Sequence, residues 1–244
     1  MSIIAARGKA RIMSVIFLIR KMNPEIDVVW IPLNLLDNGS VRAAADAIKQ
    51  LKTDKIHFVI NNAGAIAVRG YTTSKQGIES QFATNYLGHF LLTNLLMDRI
   101  LATREEGAII INVGSLGYEL GEANLDDINF EEGKPYNPWK GFRQSKTAML
   151  LWNTALGQRM ANKGVPTLVR NDGKPLRPQN MVTRQEAAGA VILVALNPRF
   201  RGSFPAFIVD QKIYTETKSY AISEEGAEKL WKLSKELVGE RFEF

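Results

Sequence analysis

The stretch Ile56-His57-Phe58-Val59-Ile60-Asn61-Asn62-Ala63-Gly64 sets the reading of the whole chain. Its front half is an apolar run of strand length, predicting a strand over 56–60. Its back half is a turn of amide and small side chains, which lets a flat ring or sugar approach the backbone closely. A second run, Ile109–Val113, carries isoleucine or valine at every position except Asn112. Runs this continuous suit strands covered by helices on both faces, as in a parallel sheet. Outward from these two runs, strand-like and helical patterns alternate. Ile3–Ala6 and Val28–Leu33 read as earlier strands, separated by a basic amphipathic stretch to Met22 that Asn23-Pro24 breaks. Helical spacing is expected over 40–52, 75–103, 141–162, 184–196 and 223–238, with a late strand at Ala206–Val209. Repeated β-then-α units predict an α/β fold with a doubly wound parallel sheet, whose strand C-terminal ends carry the ligand site. No internal repeat or linker interrupts it, so residues 1–244 are expected to form a single domain.

Composition narrows the chemistry. The 244 residues are 45% hydrophobic and 23% charged, ordinary for a globular protein. With no cysteine, a disulfide frame, thiol nucleophile or cysteine-ligated metal is excluded, and two histidines far apart, His57 and His89, do not suggest a metal site. There is no G-x-S-x-G elbow for a serine hydrolase. The net charge of +6 is spread among acids rather than gathered into a basic run, so nucleic acid is not expected as a partner. No apolar stretch reaches the length of a membrane span. Met13–Ile19 is followed by Arg20 and Lys21 where a signal peptide would have small cleavage-site residues, so it reads as the buried stripe of a helix. The expected setting is cytoplasmic, with a small-molecule substrate and a homo-oligomer among the open states.

Candidate chemistry sits at the predicted strand ends and on one helix. Ser115 follows the 109–113 run, and Phe142 and Lys146 are four apart, on one helical face. Singly, each is weak: a serine there is usually a cap, and a helical lysine usually a solvated charge. As an ordered set, Asn61-Asn62-Ala63-Gly64, Asn85-Tyr86-Leu87-Gly88-His89-Phe90, Val113-Gly114-Ser115 and Phe142-Arg143-Gln144-Ser145-Lys146 resemble the short-chain dehydrogenase/reductase superfamily. Ile78–Asn94, Ser115–Gly121, Tyr136–Ala148 and Ala227–Ser234 look like its retinol-dehydrogenase-like branch. That resemblance implies a Rossmann-like fold and an oxidoreductase using NADP (NADPH). Asn61, Ala63 and Gly64 would line the adenine-ribose side, with Asn34 near the adenine. Asn85 would fix the active-site helix and help hold a proton-relaying water. Ser115 would bond the substrate oxygen, and Lys146 the nicotinamide ribose. Arg7 matches a position that meets the 2′-phosphate, which a guanidinium suits.

The chain also departs from the family pattern. The family motif is Tyr-x-x-x-Lys, and the tyrosine position here is Phe142, which has no proton to exchange. The glycine-rich nucleotide loop is absent: Ile3-Ile4-Ala5-Ala6-Arg7 looks like the family's second strand, so the first βα unit is lacking. A loss there is expected to expose a central strand edge and apolar surface. Thr167 to Asn180 is polar, with neither the family's Pro-Gly turn nor its substrate lid recognisable. Asn34 stands where aspartate is common. The reading is therefore an NADP-dependent oxidoreductase acting on a carbonyl or alcohol of a small, largely apolar molecule, in secondary-metabolite biosynthesis by family analogy. Tyr118 and Tyr136 are conceivable substitutes for the missing hydroxyl. The alternatives are a pseudoenzyme, degenerate or truncated, that binds a ligand or partner, and an incomplete gene product.

Overall fold

The computed structural model describes residues 1–170, 183–200, 205–209 and 211–244. Strand β1 (Ser2–Ala6) leads through α1 (Lys9–Met22) to β2 (Val28–Pro32), then α2 (Asn38–Lys49) and β3 (Phe58–Asn61). A short helical turn at Ser80–Phe82 runs into a π-helical turn at Ala83–Leu87, then α3 (Gly88–Leu95) and α4 (Met97–Leu101). After β4 (Ile109–Val113) and a 3₁₀ turn at Leu116–Leu120 come α5 (Pro138–Met160), β5 (Thr167–Arg170) and α6 (Arg184–Leu196). The described chain closes with β6 (Ala206–Val209), β7 (Lys212–Ile213) and α7 (Glu224–Val238). This is the expected α/β architecture, with helices packed on parallel strands.

The sheet is split. β1 and β2 pair in parallel as one sheet, while β3, β4, β5 and β6 pair in parallel, with β7 antiparallel at the end, as another. Among the described residues no ladder joins β1 to β3. One helical layer nevertheless spans both sheets. Ile31, Leu33, Val41, Phe82, Leu87, Phe90, Ile110, Trp152 and Trp231 belong to one buried cluster, with Ile3 and Ala5 of β1 and Val59 of β3 packed against it. Asn61, Asn112 and Asn153 thread the larger sheet as a buried relay: Asn61 Nδ2 donates to Asn112 Oδ1 at 2.9 Å, and Asn112 Nδ2 to Asn153 Oδ1 at 3.2 Å. Buried amides persist because each finds a partner.

Four expectations need correction. The strand expected over 56–60 begins at Phe58, because Ile56 is pinned elsewhere: its N–H donates to the Arg99 carbonyl and its own carbonyl accepts from Thr103 Oγ1. The helix expected over 75–103 is broken. Glu79 caps its true start by accepting from the Gln81 and Phe82 amides, a π-turn intervenes, and Leu96 leaves helical geometry at φ −104°, ψ 6°. The Met13–Ile19 stripe is not buried; only Ile16 of α1 is, while Phe17 is 68% and Leu18 58% exposed. The start of the polar segment after Pro166 is a buried strand, since Leu168 and Val169 enter the core while Thr167 and Arg170 are buried with hydrogen-bonding neighbours. The rest of that segment, residues 171–182, lies outside the described residues.

Phe90 concentrates the packing of this layer. Its ring meets those of Tyr86, Trp152, Trp231 and Phe242 at centroid distances of 5.1–6.0 Å, mostly edge-to-face. Phe90→Ala is expected to cost about 3–5 kcal/mol of unfolding free energy in urea denaturation. A loss under about 1 kcal/mol, the range of ordinary surface changes, would show that this cluster does not hold the layer.

Candidate active site

Three side chains meet where β4 and α5 come together. Ser115 follows β4 and caps the 3₁₀ turn, its Oγ accepting from the Gly117 N–H at 3.1 Å. The hydroxyl hydrogen is left for a second partner. Lys146 is buried on α5 and its Nζ donates to the Val113 carbonyl at 2.9 Å. One turn earlier Phe142 is also buried, its ring centroid 5.8 Å from the Lys146 ammonium. Gly117 closes the group: a Cβ there would lie 2.6 Å from Phe142 Cε1 and 3.3 Å from Ser115 Oγ. The serine hydroxyl and the phenyl edge therefore flank one glycine.

Asn85 sits inside the π-turn, an irregularity that recurs at functional sites. Its Oδ1 accepts from the Ala65 N–H at 2.7 Å, and its Nδ2 donates to the Ala65 carbonyl and to Ser145 Oγ, both at 2.9 Å. Asn85 thus fastens the loop after β3 to the residue preceding Lys146. Gly64 lies against it so closely that a Cβ would be 3.0 Å from Asn85 Oδ1. Ala63 turns its carbonyl to His89 Nε2 at 2.7 Å, while Asn62, Ala63 and Gly64 are exposed. Asn61 directs its side chain inward, to Thr93 Oγ1 and Asn112, leaving the loop backbone to face outward. Asn34 closes a local turn, its Oδ1 accepting from the Leu36 N–H. That turn packs on the start of α3 through Leu35, whose carbonyl would be 2.8 Å from a Cβ on Gly88, three residues after Asn85. Arg7 is exposed at the end of β1, on the far side of the split.

The structure therefore brings Asn85, Ser115, Lys146, Ala63 and Gly64 into one connected group, with Asn34 adjoining and Arg7 apart. Neither tyrosine substitutes for the missing hydroxyl. Tyr118 is fully buried against Phe207 and Tyr220, and burial pushes its hydroxyl up to about 12. Tyr136 donates to the Val68 carbonyl at 2.9 Å and accepts from Gln81. Two site residues escaped sequence reasoning. His89 had a usable signal, four residues after Asn85 and so on the same helical face. Gly117 had none, since its contact with Phe142 is made across the fold.

The model of the family described as short chain dehydrogenase matches residues 2–125. The chain belongs to that family. Short-chain dehydrogenase TIC 32 B, chloroplastic, from Brassica napus is 31% identical over 97% of this chain and 80% of that protein. Retinol dehydrogenase 14 from Mus musculus is 34% identical over 85% of this chain and 66% of that protein. Among solved structures, an uncharacterized protein from Mycobacterium paratuberculosis superposes with a TM-score of 0.78 at 28% identity, covering 99% of this chain and 85% of that one. The NADPH-bound carbonyl reductase from chicken fatty liver shares the fold at a TM-score of 0.65 and 21% identity, over 87% of this chain and 86% of that one. The family is one of oxidoreductases. Among the described residues no helix is long and apolar enough to cross a membrane.

Burial, with smaller help from the Lys146 charge, lowers the pKa of His89 to about 4, so the imidazole is neutral and its Nε2–H is the donor to Ala63. The unfolded chain binds that proton near pH 6.5, more readily than the folded one. Stability from this site is therefore fully present above pH 6.5 and is lost as pH falls toward 4. Unfolding titrations should show stability declining across that window, with the decline reduced in His89→Gln. An NMR titration of His89 with a midpoint near 6.5 in the folded chain would contradict the assignment.

Proposed function

We propose that this chain is an NADP(H)-dependent oxidoreductase, one Rossmann-like domain over residues 1–244, that interconverts a carbonyl and an alcohol on a small, largely apolar molecule. The Ser115 hydroxyl and Phe142 ring edge beside Gly117, with the Lys146 ammonium 5.8 Å from that ring's centroid, carry the reading. The residues present suit the nicotinamide end of the cofactor. Lys146 would hold the ribose hydroxyls, and the exposed backbone of Asn62, Ala63 and Gly64 leaves room for a sugar or ring. The diphosphate end is not supplied in the same way, since no glycine-rich turn joins a described strand to a helix. Arg7 would meet the 2′-phosphate that distinguishes NADP from NAD, and the chicken carbonyl reductase that shares the fold is NADPH-bound. A cytoplasmic setting and a role in secondary-metabolite biosynthesis belong to the same proposal and rest on resemblance alone.

The bound cofactor supplies or accepts the hydride. Ser115 donates its free hydroxyl hydrogen to the substrate oxygen and polarises it. Asn85 keeps the loop after β3 and α5 in fixed relation, beside the residue that precedes Lys146. Phe142 fills the place where a phenol would exchange the proton with a ring that has none to give. Proton transfer then falls to solvent, the slowest part of the arrangement, because general acid–base catalysis by a positioned group contributes about 10²–10⁴-fold. Phe142→Tyr should therefore raise kcat on a panel of apolar aldehydes and ketones by about that factor. A native chain turning over as fast as Phe142→Tyr would show that another group already donates the proton.

A further inference from the structure

Helix α1 buries a narrow seam and exposes the rest. Ile16 is buried and Ile12 and Ile19 are half-buried, at the i, i+4, i+7 spacing of one face. To one side of that seam Lys9, Met13, Phe17, Arg20 and Lys21 follow at i, i+4, i+8, i+11 and i+12, a second stripe with apolar residues between cations. Met13 and Phe17 are exposed, and Leu18 and Met22 extend the apolar surface, Met22 at 86%. Hydrogen bonds to β2 show which way the stripe faces. Ser2 N–H bonds the Asp27 carbonyl and Leu33 N–H bonds the Ala6 carbonyl, so by the alternation of a parallel ladder the Val28 carbonyl points away from β1. Arg20 donates to that carbonyl at 3.1 Å. The stripe therefore lies over the outer edge of β2, on the side away from β1. Residues 7–22 hold Arg7, Lys9, Arg11, Arg20 and Lys21 and no acid; Glu25 and Asp27 come only after the Asn23-Pro24 break.

We propose that this flank of α1 is a docking surface for an anionic lipid bilayer. The helix lies in the plane of the interface, with Met13 and Phe17 at the boundary of headgroups and acyl chains and Lys9 and Lys21 at either end against lipid phosphates. Charge selects that surface: an unbroken set of cations on one helix is drawn to anionic headgroups, and the apolar side chains beside them gain cover in the same contact. The stems of Lys9 and Lys21 lie along the apolar layer while their heads reach the phosphates. Shape selects it too. A single helix standing on the edge of a sheet is convex, which a fluid lipid layer follows, whereas a folded partner needs a complementary surface. The contact is peripheral, because α1 has 14 residues and a spanning helix needs about 20. The inference rests on α1 and its charges and stands independently of the cofactor.

The test mixes the full chain with vesicles of phosphatidylcholine alone, or of phosphatidylcholine and phosphatidylserine at about three to one, and separates bound chain by flotation. Binding is expected on the anionic vesicles, far less on the neutral ones, and should weaken as salt rises. Lys21→Glu should lower the partition coefficient by about fivefold or more, the worth of one basic side chain near such a surface. Phe17→Ser, an exposed change that leaves the core intact, should lower it by about tenfold. Since the chain has no cysteine, a polarity-sensitive dye on Ser14→Cys, at the outer face of α1, reports contact with lipid. Its emission should shift to the blue on anionic vesicles, while the same dye on Glu225→Cys, in α7 behind the sheet, should not shift. No vesicle binding by a folded, monodisperse chain would overturn the proposal. So would equal binding to both vesicles, binding indifferent to Phe17→Ser, or a Ser14→Cys dye that does not shift. Saturation of the same face by a polyglutamate peptide, without vesicle binding, would overturn it in favour of an acidic protein partner.

Discussion

The carbonyl of Leu35, in the turn after β2, lies against Gly88 at the start of α3, and a Cβ on that residue would come within 2.8 Å of it. This close approach joins the part of the chain carrying β1 and β2 to the helices behind β3 and β4. Since β1 and β3 share no hydrogen bond, their relation depends on contacts of this kind, on α2 against α3, and on the apolar cluster around Phe90 and Trp152. Any larger side chain at Gly88 would push the two parts apart. The geometry of the site rests on that layer, because the π-turn bearing Asn85 is continuous with α3.

From that layer the site follows. Glu79 caps the helical turn at Ser80–Phe82, the π-turn projects Asn85 at Ala65 and Ser145, and the next residue of α5, Lys146, reaches the end of β4. Gly117 admits the Phe142 ring beside Ser115. The result places a hydroxyl, a phenyl ring and an ammonium close together, with a ring that carries no exchangeable proton one helical turn before the lysine. Burial keeps His89 neutral, so it serves as a hydrogen-bond donor to Ala63 and adds no charge beside Lys146.

Much of this was legible in the residues. Ile109–Val113 and Ala206–Val209 were readable as strands because apolar runs of that length have few other uses, and both occur with the expected bounds. Ser115, Asn85 and Lys146 could be picked out only as an ordered set, because each alone has an ordinary explanation. What the residues could not show is how the chain behaves where β1 and β3 do not pair. An apolar helix face such as Met13–Ile19 signals burial in any pattern-based reading, yet burial needs a surface opposite, and α1 has one only at Ile16. The strand at Thr167–Arg170 was hidden because its polar residues are buried by contacts made across the fold, Arg170 donating to the Ala187 carbonyl and Asn153 to the Thr167 backbone carbonyl. Asn61 looked like a ligand-facing residue, but its side chain completes a relay that only the folded sheet reveals.

The central claim is that a nicotinamide-binding site survives on a divided sheet. The most direct measurement is NADPH binding to the purified chain, followed by nicotinamide fluorescence and competed with NADH. The account predicts saturable binding that weakens in Lys146→Ala, that Arg7→Ala weakens for NADPH but not for NADH, and that Phe142→Tyr leaves unchanged. A folded, monodisperse chain that leaves nicotinamide fluorescence unaltered, or one whose binding is indifferent to Lys146→Ala, would contradict it.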